Sequence, residues 1–291
     1  MKTLKLVPDN TNIQFIRRRI VAFAFSGVLI LASLGLYFGQ GLNLGIDFQG
    51  GILIEAKTKG PADIALLRSE LGELGLGEVS LQEFGAPDDV LIRIQRQEGD
   101  GDAQQAAIVA VKAKLGDRVA EYRRTELVGP TVGAELREAA AYAVLASMLA
   151  MMIYIWFRFE WQFGVGAVLA LMHDVISTIG LFALLQIEFN LATVAAILTI
   201  AGYSINDTVV IYDRVRENMR RYKVMPYEEL FNTSINQTLS RTVVTSLTTL
   251  LALIALYIFG GEVIRGFAIA LIWGVLIGTY SSVALAVPFL L

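Results

Sequence analysis

The sequence predicts a helical membrane protein of six transmembrane spans that carries one inserted water-soluble α+β domain. Three observations predict it. First, 55% of the 291 residues are apolar and the mean hydropathy is +0.58, whereas only 18% are charged. Second, six apolar stretches of about 20 residues alternate with short polar links, and at about 1.5 Å per residue each is long enough to cross a hydrocarbon core of about 30 Å. Third, residues 39–138 return to the composition of an ordinary soluble fold.

The first span, 20–38, follows a segment (1–19) that ends in Arg17, Arg18 and Arg19. A basic run before an apolar stretch resembles a signal peptide. This stretch is too long and lacks a small-residue cleavage site, so a retained helix is expected. The remaining spans are read at 139–157, 163–186, 190–211, 242–259 and 265–290, with a link at 212–241. Lys and Arg in short links set orientation. One side collects Lys2, Lys5, Arg17–Arg19, Arg158, Arg214, Arg216, Arg220, Arg221, Lys223 and Arg241. The opposite links hold Glu188 and, before the last span, Glu262 and Arg265. Both termini are therefore expected in the cytoplasm and the domain at 39–138 outside it. Trp156 and Trp161 flank a cytoplasmic link, as interfacial aromatics do.

Within the inserted domain, 46–56 reads as a strand interrupted by Gly50 and Gly51, and 62–74 as a helix with Ile64, Leu67, Leu71 and Leu74 on one side. A strand at 78–84 follows, then a turn at Asp88 and Asp89, then an alternating strand at 90–96 through Val90, Ile92 and Ile94. Residues 102–115 are helical, with Ala106, Val109, Lys112 and Leu115 on adjacent turns, and 119–128 form a last strand. Strand–helix–strand occurring twice is the βαββαβ, ferredoxin-like pattern. Its acids and bases are scattered as on a solvated surface, which fits binding or a mechanical role better than chemistry.

The informative residues are the polar ones inside spans. A charge near the bilayer centre costs about 2.5–3.5 kcal/mol even on the mildest scale, so such residues face a bundle interior and find partners. The third span carries His173 and Asp174; the fourth carries Asn206 and Asp207, the latter about 24 Å along the helix from Leu191. Thr199, Tyr203 and Asp207 recur every four residues, as do Arg241, Thr245 and Thr249 on the fifth span, so each set shares a face. Gly202 is read as a point of close approach by a neighbouring helix. An Asp207–Arg241 pair along a hydroxyl-lined seam is a proton path, because protonating the carboxylate breaks the pair and frees the helices to shift. The same pair also reads as a static buried bridge, and His173 with Asp174 as interhelical glue. Asp213 and Arg214 are read as interface residues, and Arg216, Arg220 and Arg221 as orientation charges.

Other chemistry lacks its signatures. Without cysteine there is no disulfide, thiolate metal site or cysteine nucleophile, and His173, as the single histidine, cannot build a multi-histidine metal site. No phosphate-binding Walker loop, G-x-S-x-G or H-E-x-x-H occurs. The basic residues are topological, so nucleic-acid binding has no support. An enzyme is not expected, nor is a cofactor or metal.

Four motifs carry a family resemblance. GIDFQGG at 45–51 and GPTVGAEL at 129–136 resemble the motifs that follow the first span and precede the second in SecD and SecF proteins. AGYSINDTVVIYDRVREN at 201–218 and NQTLSRTVVTS at 236–246 resemble the fourth and fifth spans of SecF proteins. The match runs through essentially the whole chain in order. The resemblance implies half of a twelve-helix assembly of the RND superfamily, completed by SecD. It implies association with the SecYEG channel, a translocating preprotein, and YajC and YidC as further partners. It implies that the proton gradient drives preprotein export across the bacterial inner membrane, with Asp207 as the intramembrane acid and Arg241 as the basic residue of the fifth span. Members commonly continue past the sixth span, whereas this sequence stops at Leu291. Two other readings stand beside it: half of an RND-type exporter of small molecules, for which about 90 outer residues leave little room for a drug-sized pocket, and a scaffold subunit in which the buried charges are structural.

Overall fold

The computed structural model describes residues 8, 11–77, 79–99 and 101–291, without the side chains of residues 130, 131, 262 and 263. Lys2, Lys5 and the Glu262 side chain, counted above among the topological charges, lie outside the described residues. The chain divides into two units, residues 1–43 with 142–291, and residues 44–141.

In the smaller unit, after α1 (Arg19–Gly39) of the larger one, the elements run α2 (Ile46–Gln49), β1 (Gly51–Thr58), α3 (Ile64–Gly72), β2 (Val79–Phe84), β3 (Ala86–Ile94), α4 (Gly101–Leu115) and β4 (Val119–Val128). The four strands form one antiparallel sheet in the order β2-β3-β1-β4. Its core alternates as a strand must. Ile52, Ile54 and Ala56 of β1 and Val90, Ile92 and Ile94 of β3 pack against Leu67 and Leu71 of α3 and Ala107, Ile108, Val111 and Leu115 of α4. Each large aliphatic buried there contributes about 1.5–3 kcal/mol. The Asp63 carboxylate caps α3 by accepting from the Leu66 amide at 3.0 Å.

The structure corrects three local expectations. The interrupted strand at 46–56 is a helical turn followed by a strand: Gly50 (φ 74°) and Gly51 (φ 121°) adopt a backbone open mainly to glycine, and a Cβ on Gly51 would lie 2.7 Å from the Ile94 carbonyl. Asp88 and Asp89 form no turn. They lie inside β3, the reversal being made by Gly85 (φ 92°), and cross-strand cations hold them: Lys57 Nζ at 3.3 Å from Asp88 and Arg123 Nη1 at 2.7 Å from Asp89. The buried side of α4 is Gln104, Ala107, Ile108, Val111 and Leu115, leaving Val109 exposed. Gln104 turns inward because its amide satisfies the Gln97 backbone at 3.1 and 2.7 Å.

The larger unit contains α1 (Arg19–Gly39), the membrane part of α5 (Pro130–Arg158), α6 (Trp161–Leu185), α7 (Leu191–Arg221), α8 (Tyr227–Phe259) and α9 (Glu262–Ser281), which continues through a π-helical turn at Ser282–Ala286. Among the described residues, six helices are long and apolar enough to cross a membrane. Half or more of the apolar window is buried in α6, α7 and α9 (56, 50 and 61%), against 11, 6 and 11% in α1, α5 and α8. Thus α6, α7 and α9 form the centre. Close approach of α7 and α9 depends on Gly274, where a Cβ would collide with Ile200, and Gly278, where it would lie 3.2 Å from Ser204 Cβ.

The expected link at 212–241 is mostly helix, with α7 running to Arg221 and α8 starting at Tyr227. Apolar pattern and polar ties continue beyond the expected membrane boundary. Tyr212, Val215, Leu230, Phe231 and Ile235 share one buried cluster, and Asn218 Nδ2 donates to Ser234 Oγ at 2.9 Å and Gln237 Oε1 at 3.0 Å. Arg220 and Arg221 in the last turn of α7, and Glu228 and Glu229 in the first turn of α8, complement the helix dipoles. The N-terminal segment is strapped to α8 through Ile13 to Asn236 (2.9 Å), Phe15 to Asn232 (2.8 Å) and the Arg19–Glu228 ion pair (2.7 Å).

Candidate functional site

Among the described residues, two carboxylates are buried within the spans, and their surroundings are opposite. Asp174 on α6 is fully enclosed. Its Oδ2 accepts from Ser204 Oγ of α7 and Ser281 Oγ of α9, both at 2.7 Å, and its Oδ1 lies 3.0 Å from His173 Nδ1. One side chain thus ties the three central helices together. Leaving a buried acceptor without its donor costs about 1–3 kcal/mol. Next to this knot a second layer repeats the link: Thr208 Oγ1 and Ser282 Oγ lie 2.9 Å apart, Ser282 Oγ donates to the Ser204 carbonyl at 3.1 Å, and Tyr212 OH donates to the Ala286 carbonyl at 2.9 Å. Ser282 and Ala286 bound the π-helical turn, a local widening that recurs at functional positions.

Asp207 lies one turn beyond Ser204 on α7 and is buried, and its Oδ2 has no hydrogen-bond partner. Among the described residues it forms no ion pair. Thr242 Oγ1 on α8 and His173 Nε2 on α6 are likewise buried without partners. Unpaired polar atoms buried in a bundle are costly.

The expected Asp207–Arg241 pair and its seam are not formed as read. α8 turns Thr238, Thr242 and Ser246 inward, four residues apart. Arg241, one position earlier than Thr242, is rotated about 100° away and is exposed. Among the described residues it forms no ion pair with Asp207 within 4 Å. Thr245 Oγ1 folds back onto the carbonyls of Arg241 and Thr242, both at 3.0 Å, rather than lining a seam. Tyr203 does meet α8, donating to Ser246 Oγ at 3.4 Å, and Ser246 Oγ lies 2.7 Å from Thr279 Oγ1 of α9. Asn206 is exposed, as are Thr199 and Gly202, and nothing lies within 4 Å of a Cβ placed on Gly202. The close helix contact expected there occurs instead at Gly274 and Gly278. Sequence reading also missed Ser204, Thr208, Ser281 and Ser282. Their signal was small hydroxyl residues at four-residue spacing (Ser204, Thr208) and a serine pair in an otherwise apolar run. Among the described residues no group of three or more histidine or acidic side chains could hold a metal ion.

Known proteins share this architecture. Residues 108–291 match the family described as protein export membrane protein SecD/SecF, C-terminal, and residues 38–62 match the SecD/SecF GG motif. The protein translocase subunit SecF of Rickettsia akari is 46% identical over 293 residues, covering 99% of this chain and 94% of that one. The Rhodobacter capsulatus subunit of the same name is 48% identical over 297 residues, covering 97% and 89%. Among solved structures, SecDF from Thermus thermophilus, described as a translocon-associated membrane protein, superposes with a TM-score of 0.87 at 37% identity, covering 96% of this chain and 38% of that one. SecDF in a super-membrane-facing form gives 0.71 at 38% identity, covering 98% and 39%. The chain therefore spans about two fifths of the solved SecDF chains. By the family match over residues 108–291 and these relatives, the chain belongs to the SecD/SecF family of protein-export membrane proteins.

Proposed function

We propose that this chain is an accessory subunit of Sec-type protein translocation that acts with a SecD partner and uses the proton gradient to promote preprotein export, with Asp207 as the proton-coupling carboxylate. The observation that carries this reading is Asp207 itself: a carboxylate buried in a span, with Oδ2 unpartnered. Among the described residues no side chain donates to Asp207 Oδ2, so its charge state is set by what reaches it, a proton or a group from a partner. Arg241, exposed on the fifth span, is the basic residue proposed to respond to the change. His173 and Asp174 belong to the buried knot on α6, and Tyr203 ties α7 to α8 through Ser246.

The partner follows from what the six-helix unit leaves open. Thr199, Gly202 and Asn206 form an exposed small and polar stripe on the fourth span, which suits a second helical bundle better than lipid. The relatives are named protein translocase subunits, and SecDF chains carry about three fifths of additional length. The proposed assembly is an RND-type pair of halves, this chain and SecD, associated with the SecYEG channel, with YajC and YidC as further family partners. The sheet order β2-β3-β1-β4 with all strands antiparallel supports a ferredoxin-like outer domain. The orientation charges support a bacterial inner-membrane placement with cytoplasmic termini and a periplasmic domain.

The test is preprotein translocation into vesicles containing the channel, SecD and this chain, with and without a proton gradient. Translocation should gain from the gradient only when this chain is present. Equal stimulation without the chain would favour a scaffold role.

A further inference from the structure

A cavity of about 480 Å³ opens where the ends of α5 and α7 meet, lined by Arg158, Asp213, Arg216, Glu217, Arg220 and Arg221. Its two acids are already matched. Asp213 Oδ1 pairs with Arg158 Nη2 at 3.0 Å, and Glu217 Oε2 pairs with Arg214 Nη1, from outside the lining, at 2.9 Å. Among the described residues, Arg216, Arg220 and Arg221 have no carboxylate partner. Arg216 is fixed by donating from Nη1 to the Arg158 carbonyl at 3.2 Å, and Arg158 is steadied over the Phe159 ring at 4.9 Å. Arg216 and Arg220 stand four residues apart on one helix face, where like charges repel. Orientation alone asks for positive charge on this side; it does not ask for guanidinium groups converging on a cavity.

We propose that this cavity binds the phosphate headgroup of an anionic phospholipid. Guanidinium groups offer planar paired donors that match phosphate oxygens, and an anion would relieve the Arg216–Arg220 repulsion. A lipid, rather than free phosphate, fits the surroundings. Trp156 (59% exposed), Phe157 (87%) and Trp161 (61%) lie within three residues of Arg158 and present bare aromatic surface where headgroups meet acyl chains. Headgroup binding here would clamp α5 to α7, the helix that carries Asp207.

The test is native mass spectrometry of the full-length chain, purified in detergent and delipidated, with phosphatidylglycerol, phosphatidylcholine or inorganic phosphate added. Phosphatidylglycerol should be retained about tenfold better than phosphatidylcholine, and R216Q/R220Q should lose that preference. R216K/R220K, which keeps charge and helix, should lose a few-fold through loss of the paired donors, and it decides the matter if the glutamine variant does not fold. Equal retention of the two lipids, or unchanged phosphatidylglycerol retention in the variants, overturns the proposal. Displacement of phosphatidylglycerol by millimolar phosphate also overturns it, assigning the cavity to the free anion.

Discussion

Ser204 Oγ on α7 donates a 2.7 Å hydrogen bond to Oδ2 of Asp174 on α6, the same oxygen that Ser281 of α9 reaches at 2.7 Å. The carboxylate is a three-helix knot, and its donors carry stability. S204A and S281A should each lower stability by about 1–3 kcal/mol, the range for removing a donor from a buried acceptor. Thermal unfolding in detergent measures this; unchanged melting in both variants would show that the knot contributes nothing.

The α7–α9 contact depends on absent side chains. G278V should destabilise by about 1–3 kcal/mol through overpacking against Ser204, whose Cβ lies 3.2 Å from where a Cβ at position 278 would stand. G202A, with open space around it, should be neutral or gain up to about 1 kcal/mol from helix propensity in the isolated chain. In complex with SecD the same change should weaken association if that stripe is the partner face. Unfolding and copurification read the two effects separately.

Arg241 makes no ion pair among the described residues, so R241Q should change stability by less than about 0.5 kcal/mol. Under the proposed coupling it should nevertheless reduce gradient-dependent translocation, because it removes the basic residue of the fifth span proposed to act with Asp207. A large loss of stability would instead indicate the static bridge.

In the outer domain, Arg118 beside Glu70 holds that carboxyl below its ordinary value, chiefly through their hydrogen bond. A lowered folded pKa means stability that is present above the unfolded value of 4.5 and is lost as pH falls through the lower folded value. Wild type and E70Q should therefore differ near neutral pH and converge in acid. Melting curves across that window check the sign, and a gap that widens on acidification would contradict it.

What could be read from sequence followed from local physics. Six spans show in apolar length, and the inserted domain's element order shows in alternation and helical spacing. The helix and strand ends were harder, because Gly50, Gly51 and Gly85 act through backbone geometry, and α7 and α8 continue through polar sequence that tertiary packing stabilises. In the site, the spacing of Arg241, Thr245 and Thr249 was real, but spacing does not say which face turns inward. A one-residue difference in helix phase put Thr242 and Ser246 inside and Arg241 outside. Asp174 was visible as an intramembrane acid, yet its donors come from Ser204 and Ser281, 30 and 107 residues away. Such partners are set by the bundle, not by local pattern.

The decisive comparison for proton coupling at Asp207 is D207N against wild type in gradient-dependent preprotein translocation, with SecD and the channel present and with assembly and protein levels matched. D207N should assemble and melt normally, since Asp207 Oδ2 has no internal partner to lose, while the gradient-dependent part of translocation disappears. Full gradient-dependent translocation by D207N would contradict this and leave Asp207 without a coupling role.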